Sequence, residues 1–513
     1  MTFLPPSGKA LKMKQWLLFN AFFFLPLILF AQFRFNATCR EAYSDITSLH
    51  FGEARAFLDQ ARLTDPGNLI PDYLENYMDF LSVFIGEEQE RYDLFKKNYS
   101  ARERRIEKAR KDSPFYHYCL GNMFLQKGIL SAKFGEYASA AADVNRAYRE
   151  LTENEREYPS FLPQKTNLGV IHILAGLVPD NYKWALSLLG IKGDVEQGLM
   201  EIKTIACYSG KDELLCRLKI EALFYLAVAD ANLGKDRQES LDLIRLAEMQ
   251  SGSEISSNPL FIYAKASILM KCGKNEEALL VLNRYCLKKG NFPFYFLDFL
   301  TGKARLNRLD PDADRYFIRF LKNFRGKSYI KSAYQKLAWS YLVRKDTARY
   351  REYIGKVKIR GNMLIDGDRQ AMREAEKGEQ PNIILLKARL LSDGGYNKKA
   401  LDILENQYGS RDFQNRKDLT EYYYRLGRIC QDSGMDNQAL KYFRIAYTEG
   451  NTLPYYFAAN AALQSGIIYE RRGDLKNAGN QYRLCLSLDY DEYKASLSQK
   501  AKVGLKRISR KKT

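Results

Sequence analysis

The chain is short of the residues that break or crosslink structure. Glycine and proline together are 47 of 513 residues, too few for the many tight turns of an all-β fold. Histidine occurs three times, at His50, His117 and His172, far apart in sequence, which argues against a histidine-built metal centre. No Cys-x-x-Cys, phosphate-binding Gly-x-x-x-x-Gly-Lys-Ser/Thr, His-Glu-x-x-His or Gly-x-Ser-x-Gly is present, so none of those reaction classes has its usual signature. Eight cysteines are too thin a density for a disulfide scaffold. Cys207–Cys216 and Cys272–Cys286 could each bridge a helical hairpin, whereas the bland reading makes all eight small apolar residues.

Beyond the first 31 residues there is also no long apolar run. That opening segment is different. Lys9, Lys12 and Lys14 precede WLLFNAFFFLPLILFA, Trp16 to Ala31. A basic start, a short apolar run and a small residue at its end predict a secretory leader over 1–31, cut before Gln32, with Met13 as an alternative start. The run is shorter than a spanning helix needs. An exported, periplasmic protein is therefore expected, the alternative being an uncleaved N-terminal anchor. No membrane-spanning segment is expected in the mature chain.

What the chain has in abundance is positive charge and tyrosine. Formal net charge is +19, and removal of the leader lysines would leave about +16. The basic residues are spread along the chain, which suits a solvated surface, or contact with an anionic polymer or membrane face. Two denser stretches, Ala101–Asp112 and Phe317–Lys336, raise nucleic acid as a partner. Phe317, Phe320 and Phe324, however, fall at helical spacing and are expected to be core. Nucleic acid is thus an unlikely partner for an exported chain.

A repeated register decides the architecture. From Thr420, bulky and small residues fall at Tyr423, Leu426, Gly427, Cys430, Gly434, Ala439, Phe443 and Ala446. The first four share one helical face, Gly434 sits where a turn is needed, and Ala439, Phe443 and Ala446 share a second face. Gly427 and Ala439 let two antiparallel helices approach, with Phe443 filling the space beyond. The same register recurs at Gly466, Gly473, Ala478 and Tyr482; at Ala388, Gly395 and Ala400; at Ala266, Gly273 and Ala278; and at Gly128, Gly135 and Ala140. This is the tetratricopeptide pattern, in which paired helices bury their apolar faces only by stacking. Degenerate copies lie near Ala227–Leu243 and Ala338–Ile354, and Ala54–Pro66 reads as the second helix of a first unit. The expected fold is an all-α, tetratricopeptide-type α-solenoid of about eight helical hairpins. Its parts are an N-terminal repeat region over 32–250, central repeats over 251–354, a connection or degenerate hairpin over 355–382, C-terminal repeats over 383–503 and a frayed basic tail over 504–513.

Asn167 to Ile202 carries Leu188, Leu189, Gly190, Gly193, Asp194, Gly198 and Leu199 in an order that resembles the signature segment of the inclusion-body-clearance and tetratricopeptide-39 family. Ile191 stands where that family usually has an aromatic. The resemblance, sharpest over 159–234, implies a helical-repeat fold and brings no catalytic residues. The leader ending in FAQ and the Tyr-rich basic chain also resemble exported repeat proteins of the Bacteroidetes. Asp194 is expected to cap a helix, with a ligand-binding turn as the alternative.

No catalytic, metal or cofactor residue is assigned. Asp310, Asp312 and Asp314 imitate the opening of a calcium loop, but Arg315 and Leu321 occupy the places where that loop needs Gly and Glu. The expected function is a non-catalytic protein-interaction scaffold of the cell envelope whose partners are one or more envelope proteins. The alternatives are a binder of an anionic envelope polymer or membrane surface, and an enzyme with an unrecognised carboxylate site. Tyr422, Tyr424, Tyr455 and Tyr456 are the candidate interaction residues, facing groove or solvent, since tyrosine gives flat contacts at modest entropic cost.

Overall fold

The structure is a computed structural model that describes residues 32–178, 190–233, 237–251, 255–287 and 289–510. The expected leader over 1–31, and Leu188 and Leu189 of the family-like segment, lie outside the described residues.

Helices follow one another along the whole described chain. They are α1 (Ala37–Thr47), α2 (Phe51–Thr64), α3 (Ile70–Gly86), α4 (Gln89–Glu107), α5 (Pro114–Lys133), α6 (Tyr137–Glu157), α7 (Lys165–Leu177) and α8 (Val195–Ala206). Next come α9 (Glu213–Leu233), α10 (Arg237–Ser251), α11 (Pro259–Lys271), α12 (Asn275–Leu282), α13 (Phe296–Asn307), α14 (Ala313–Asn323), α15 (Ile330–Leu342) and α16 (Thr347–Ile359). The chain ends with α17 (Asp366–Lys377), α18 (Ile383–Asp393), α19 (Asn397–Leu401, continued by a π turn), α20 (Arg416–Asp432), α21 (Asp436–Gly450), α22 (Phe457–Arg471), α23 (Leu475–Ser487) and α24 (Lys494–Arg510). Successive helices pack as pairs, most tightly α5 with α6, α7 with α8, α20 with α21 and α22 with α23. The protein is an all-α helical-hairpin solenoid.

The small residues do what their register requires. A Cβ on Gly427 would lie 2.5 Å from the Phe443 ring, and one on Gly466 would lie 2.6 Å from the Tyr482 ring. On Gly128 it would meet Val144 at 2.9 Å. Ala140, Ala266, Ala278, Ala388, Ala400, Ala439 and Ala478 are all buried. The turn glycines Gly135, Gly273, Gly395, Gly434 and Gly473 all have positive φ, from 69° to 88°, a conformation nearly free for glycine alone.

Other hairpins make the same turn without glycine. Leu49 between α1 and α2, Glu87 between α3 and α4, Leu309 between α13 and α14, and Lys345 between α15 and α16 have φ of 62°, 55°, 64° and 66°. The hairpin turn therefore recurs where no turn glycine marks it. Residues 355–382 hold the end of α16 and then α17, which packs against α15 and α16. The 504–513 tail is not frayed over its described part: α24 runs to Arg510 and buries Ile508.

A plain solenoid unit touches only its neighbours. Here pairs far apart in the chain also meet. The Tyr43 hydroxyl of α1 donates to Glu221 of α9 at 2.9 Å, and the Asn258 amide ahead of α11 donates to the Thr47 carbonyl at 3.0 Å. Glu87 accepts the Ser328 and Lys327 amides at 2.7 and 3.0 Å. The Gly273 and Gly395 turns touch so closely that a Cβ on Gly395 would lie 1.8 Å from the Gly273 carbonyl oxygen. The last of these contacts borders the groove described next.

No disulfide joins Cys207 to Cys216 or Cys272 to Cys286 in this structure. Cys39, Cys119, Cys430 and Cys485 are buried as small apolar groups. Phe317, Phe320 and Phe324 are core residues. The Asp310 stretch pairs with arginines: Asp310 with Arg308 at 2.6 Å, Asp312 with Arg305 at 3.1 Å and Asp314 with Arg344 at 3.0 Å. Among the described residues no helix is long and apolar enough to cross a membrane.

Candidate functional site

Two neighbouring cavities open along the C-terminal half of the solenoid. The larger, about 630 Å³, is lined from α11, α13, the α18–α19 turn and α20, including Tyr263, Phe296, Lys303, Tyr329, Asp393, Arg428 and Asp432. The smaller, about 100 Å³, lies over α15, α17, α18 and α20 and includes Trp339, Glu374, Arg389, Arg425, Tyr455, Tyr456 and Tyr493. Arg389, Asp393, Arg425 and Arg428 on adjacent helices join the two.

Helical spacing puts these side chains on one side. Lys336 and Trp339 are three apart on α15; Leu386, Arg389 and Asp393 follow at three and four on α18; Glu421, Arg425, Arg428 and Asp432 follow at four, three and four on α20. The small register residues Ala388 and Gly427 face the paired helix, so Arg389 and Arg428, each one position later, turn toward the groove.

The Trp339 indole anchors one wall. Its Nε1–H donates to Glu374 at 2.7 Å, and Gln335 donates to the other Glu374 oxygen at 2.6 Å. The Lys336 ammonium lies 3.6 Å from the Trp339 ring centroid and the Arg389 guanidinium 5.0 Å from it, a double cation–π arrangement. Burial, and then the neighbouring Arg389, hold the Lys336 ammonium below the usual lysine range. Burial raises the Glu374 carboxyl against the pull of its Trp339 hydrogen bond and of Lys336.

The facing wall is aromatic and ionic. Arg425 donates to Glu421 at 2.7 Å and lies 5.3 Å from the Tyr424 ring centroid. Lys417 pairs with Glu379, Lys377 with Glu492 at 2.8 Å, and both lysines lie about 5 Å from the Tyr455 ring. Tyr456 packs edge-on against Tyr493 at 5.0 Å. Arg389 and Arg428 are held loosely, 3.8 Å from Asp393 and 3.6 Å from Asp432. The arrangement offers fixed cations beside aromatic faces, suited to carboxylate or phosphate oxygens on a chain that also carries rings.

Of the candidate tyrosines, Tyr455 and Tyr456 line this groove. Tyr422 and Tyr424 do not face groove or solvent, being 6% and 2% exposed. Tyr422 donates to the Leu404 carbonyl at 3.2 Å, and Tyr424 accepts the Asn460 amide at 2.7 Å. The helix turns their hydroxyls into the seams with α19 and α22, where each finds a partner. Lys303, Lys336, Trp339, Arg389 and Arg428 were not singled out by sequence; for Arg389 and Arg428 the available signal was a charged residue directly following the small register residue.

Asp194 caps α8, accepting the Glu196 and Gln197 amides at 2.8 and 2.9 Å. Gly193 has φ of 137° and lies against the His172 ring, and Gly198 meets Gly169 where α7 and α8 cross. That turn is thus structurally occupied. His117 and His172 sit on helical faces, bonded to Glu150 at 2.8 Å and Glu201 at 2.6 Å. In the basic Ala101–Asp112 stretch, Arg102 and Arg105 pair internally with Asp79 and Asp72.

No family model matches this chain, and no curated protein matches it. Among solved structures it is similar to the crystal structure of the APC/C hetero-tetramer Cut9-Hcn1, with 11% identity, a TM-score of 0.22, and coverage of 91% of this chain and 95% of that one.

Proposed function

We propose that this protein is a non-catalytic, tetratricopeptide-type interaction scaffold, exported to the cell envelope, that seats a segment of a partner protein in the C-terminal groove. One observation carries the reading: adjacent helices α13, α15, α18, α20 and the start of α22 turn aromatic and charged side chains toward two adjoining cavities. Stacked hairpins produce long grooves of this kind, and aromatic and arginine side chains supply most binding energy at protein interfaces. The leader-like N-terminus supports placement in the envelope.

The test is photo-crosslinking in cells, with the reactive group placed at position 303 or 455 in the groove and, as control, at exposed position 351 on α16. The expected result is one partner protein captured from both groove positions and absent from 351. The same capture from all three positions, or none from the groove, overturns the reading.

A further inference from the structure

The groove's charges are not evenly matched. Most of its carboxylates are already engaged: Glu421 with Arg425, Glu379 with Lys417, Glu492 with Lys377, and Glu374 with the Trp339 and Gln335 donors. Asp418 accepts from the Asn382 and Asn415 side-chain amides at 3.0 and 3.1 Å. Lys336 donates to Gln335 at 2.7 Å beside Glu374. Where the cavities meet, three cations remain: Lys303, Arg389 and Arg428. They share Asp393 and Asp432, which approach the two arginines no closer than 3.6 Å. The charges acting on Lys303 are attractive Asp393 and repulsive Arg389. Mutual repulsion among cations on converging helices is relieved by an anion between them.

Beside this cluster the larger cavity has an aromatic wall. Tyr263, Phe296 and Tyr329 are half-buried, and Phe296 lies 4.3 Å from Tyr329 and 5.9 Å from Tyr263, centroid to centroid. A cavity of about 630 Å³ has room for an aromatic side chain with neighbouring backbone.

We propose that the junction of the two cavities receives side-chain carboxylates of an extended acidic segment, between Lys303, Arg389 and Arg428, while an aromatic residue of that segment stacks on Phe296 and Tyr329. The proposal rests on the groove reading above and adds the chemistry of its occupant. Because the cations come from three helices and line both cavities, the segment is read along its length and needs no free chain terminus.

The test uses the full chain and a fluorescein-labelled, end-capped octapeptide of glutamates with two tyrosines, followed by anisotropy. The expected result is saturable binding that falls about tenfold or more between about 50 and 300 mM salt, as screening requires. The Lys303→Ala/Arg389→Ala double variant should bind about tenfold or more weakly, the scale of a lost charge-assisted contact, with an unchanged circular dichroism melt. Lys441→Ala/Arg444→Ala, on the far side of α21, should bind as the native chain does. Replacing the glutamates by lysine should abolish binding, and replacing the tyrosines by alanine should weaken it.

Failure of the peptide to bind, equal binding of the lysine peptide, or equal binding by the double variant overturns the proposal. So does binding of phosphatidylglycerol vesicles, but not of the peptide, that is lost in the double variant, since the cluster would then serve a lipid surface. If crosslinking at 303 and 455 captures a neutral or basic segment, this proposal falls while the groove reading stands.

Discussion

Replacing Glu221 by glutamine should make the protein more stable in mild alkali and leave it little changed in mild acid. Glu221 is 5% exposed on α9. Three hydroxyls converge on it, Tyr43 from α1, Tyr77 from α3 and Tyr225 one turn along α9, while Tyr73 and Tyr118 lie just behind. Burial outweighs these hydrogen bonds and pushes the carboxyl from 4.5 up to about 7. Below pH 4.5 the carboxyl is protonated in folded and unfolded chains alike, so burial carries no ionic cost. Between there and about 7 the unfolded chain releases a proton that the folded chain keeps, and stability falls as pH rises.

Above that window the whole cost is present: about 3 kcal/mol, from ~1.4 kcal/mol for each pH unit separating the two pKa values. Glutamine keeps the shape and an acceptor for Tyr43 and is neutral throughout, so it lacks this slope. Urea melts at about pH 5 and about pH 8.5 should show the Glu221→Gln advantage growing by up to ~3 kcal/mol. Hydrogen exchange in α1 and α9 should report the same change locally, since a solenoid need not unfold in one step. Parallel pH profiles for the two proteins would refute the assignment of a costly buried carboxyl at the α1–α9 closure.

Gly427→Ala should cost about 1–3 kcal/mol by driving a methyl into the Phe443 ring, whereas Gly434→Ala, with open space but φ of 77°, should cost about 1 kcal/mol; equal urea midpoints for the pair would contradict the two separate causes. Gly395→Ala should exceed Gly434→Ala in cost, because its Cβ would meet the Gly273 carbonyl at 1.8 Å; a comparable loss measured in the same melts would show that the two turns do not touch. Asp194→Ala should lose about 1 kcal/mol through the α8 cap and Asp194→Asn much less; an equal loss for both would remove the capping role. Asp368→Ala leaves the Tyr329 and Ser332 amides, now 2.7 and 2.8 Å from its oxygens, without acceptors, and should cost at least about 1–3 kcal/mol, read as faster exchange at the start of α15.

The architecture was legible wherever a glycine was compelled. A register of Gly427, Gly434 and Ala439 is a statement about helix approach and turn φ, and both are local quantities that sequence spacing carries. The turns at Leu49, Glu87, Leu309 and Lys345 need the same backbone conformation, yet nothing in their residue types announces it. A left-handed turn at a non-glycine residue persists when surrounding structure over-determines it. Glu87 shows how: its carboxylate is held by Lys133 at the end of α5 and by the Ser328 and Lys327 amides of the loop before α15, far along the chain. The groove was hidden for the same reason. Helical period puts Glu421, Arg425, Arg428 and Asp432 on one face, but it does not say that Lys303, Lys336 and Arg389 face them, because that follows from how tightly the stacked pairs coil. Tyr422 and Tyr424 mark the boundary between the two kinds of information: their spacing identified a helix, whereas their burial depended on α19 and α22 arriving on either side. Sequence spacing thus specified the pairs; contacts between distant pairs, at Glu87, Glu221 and Gly395, fix which of them meet.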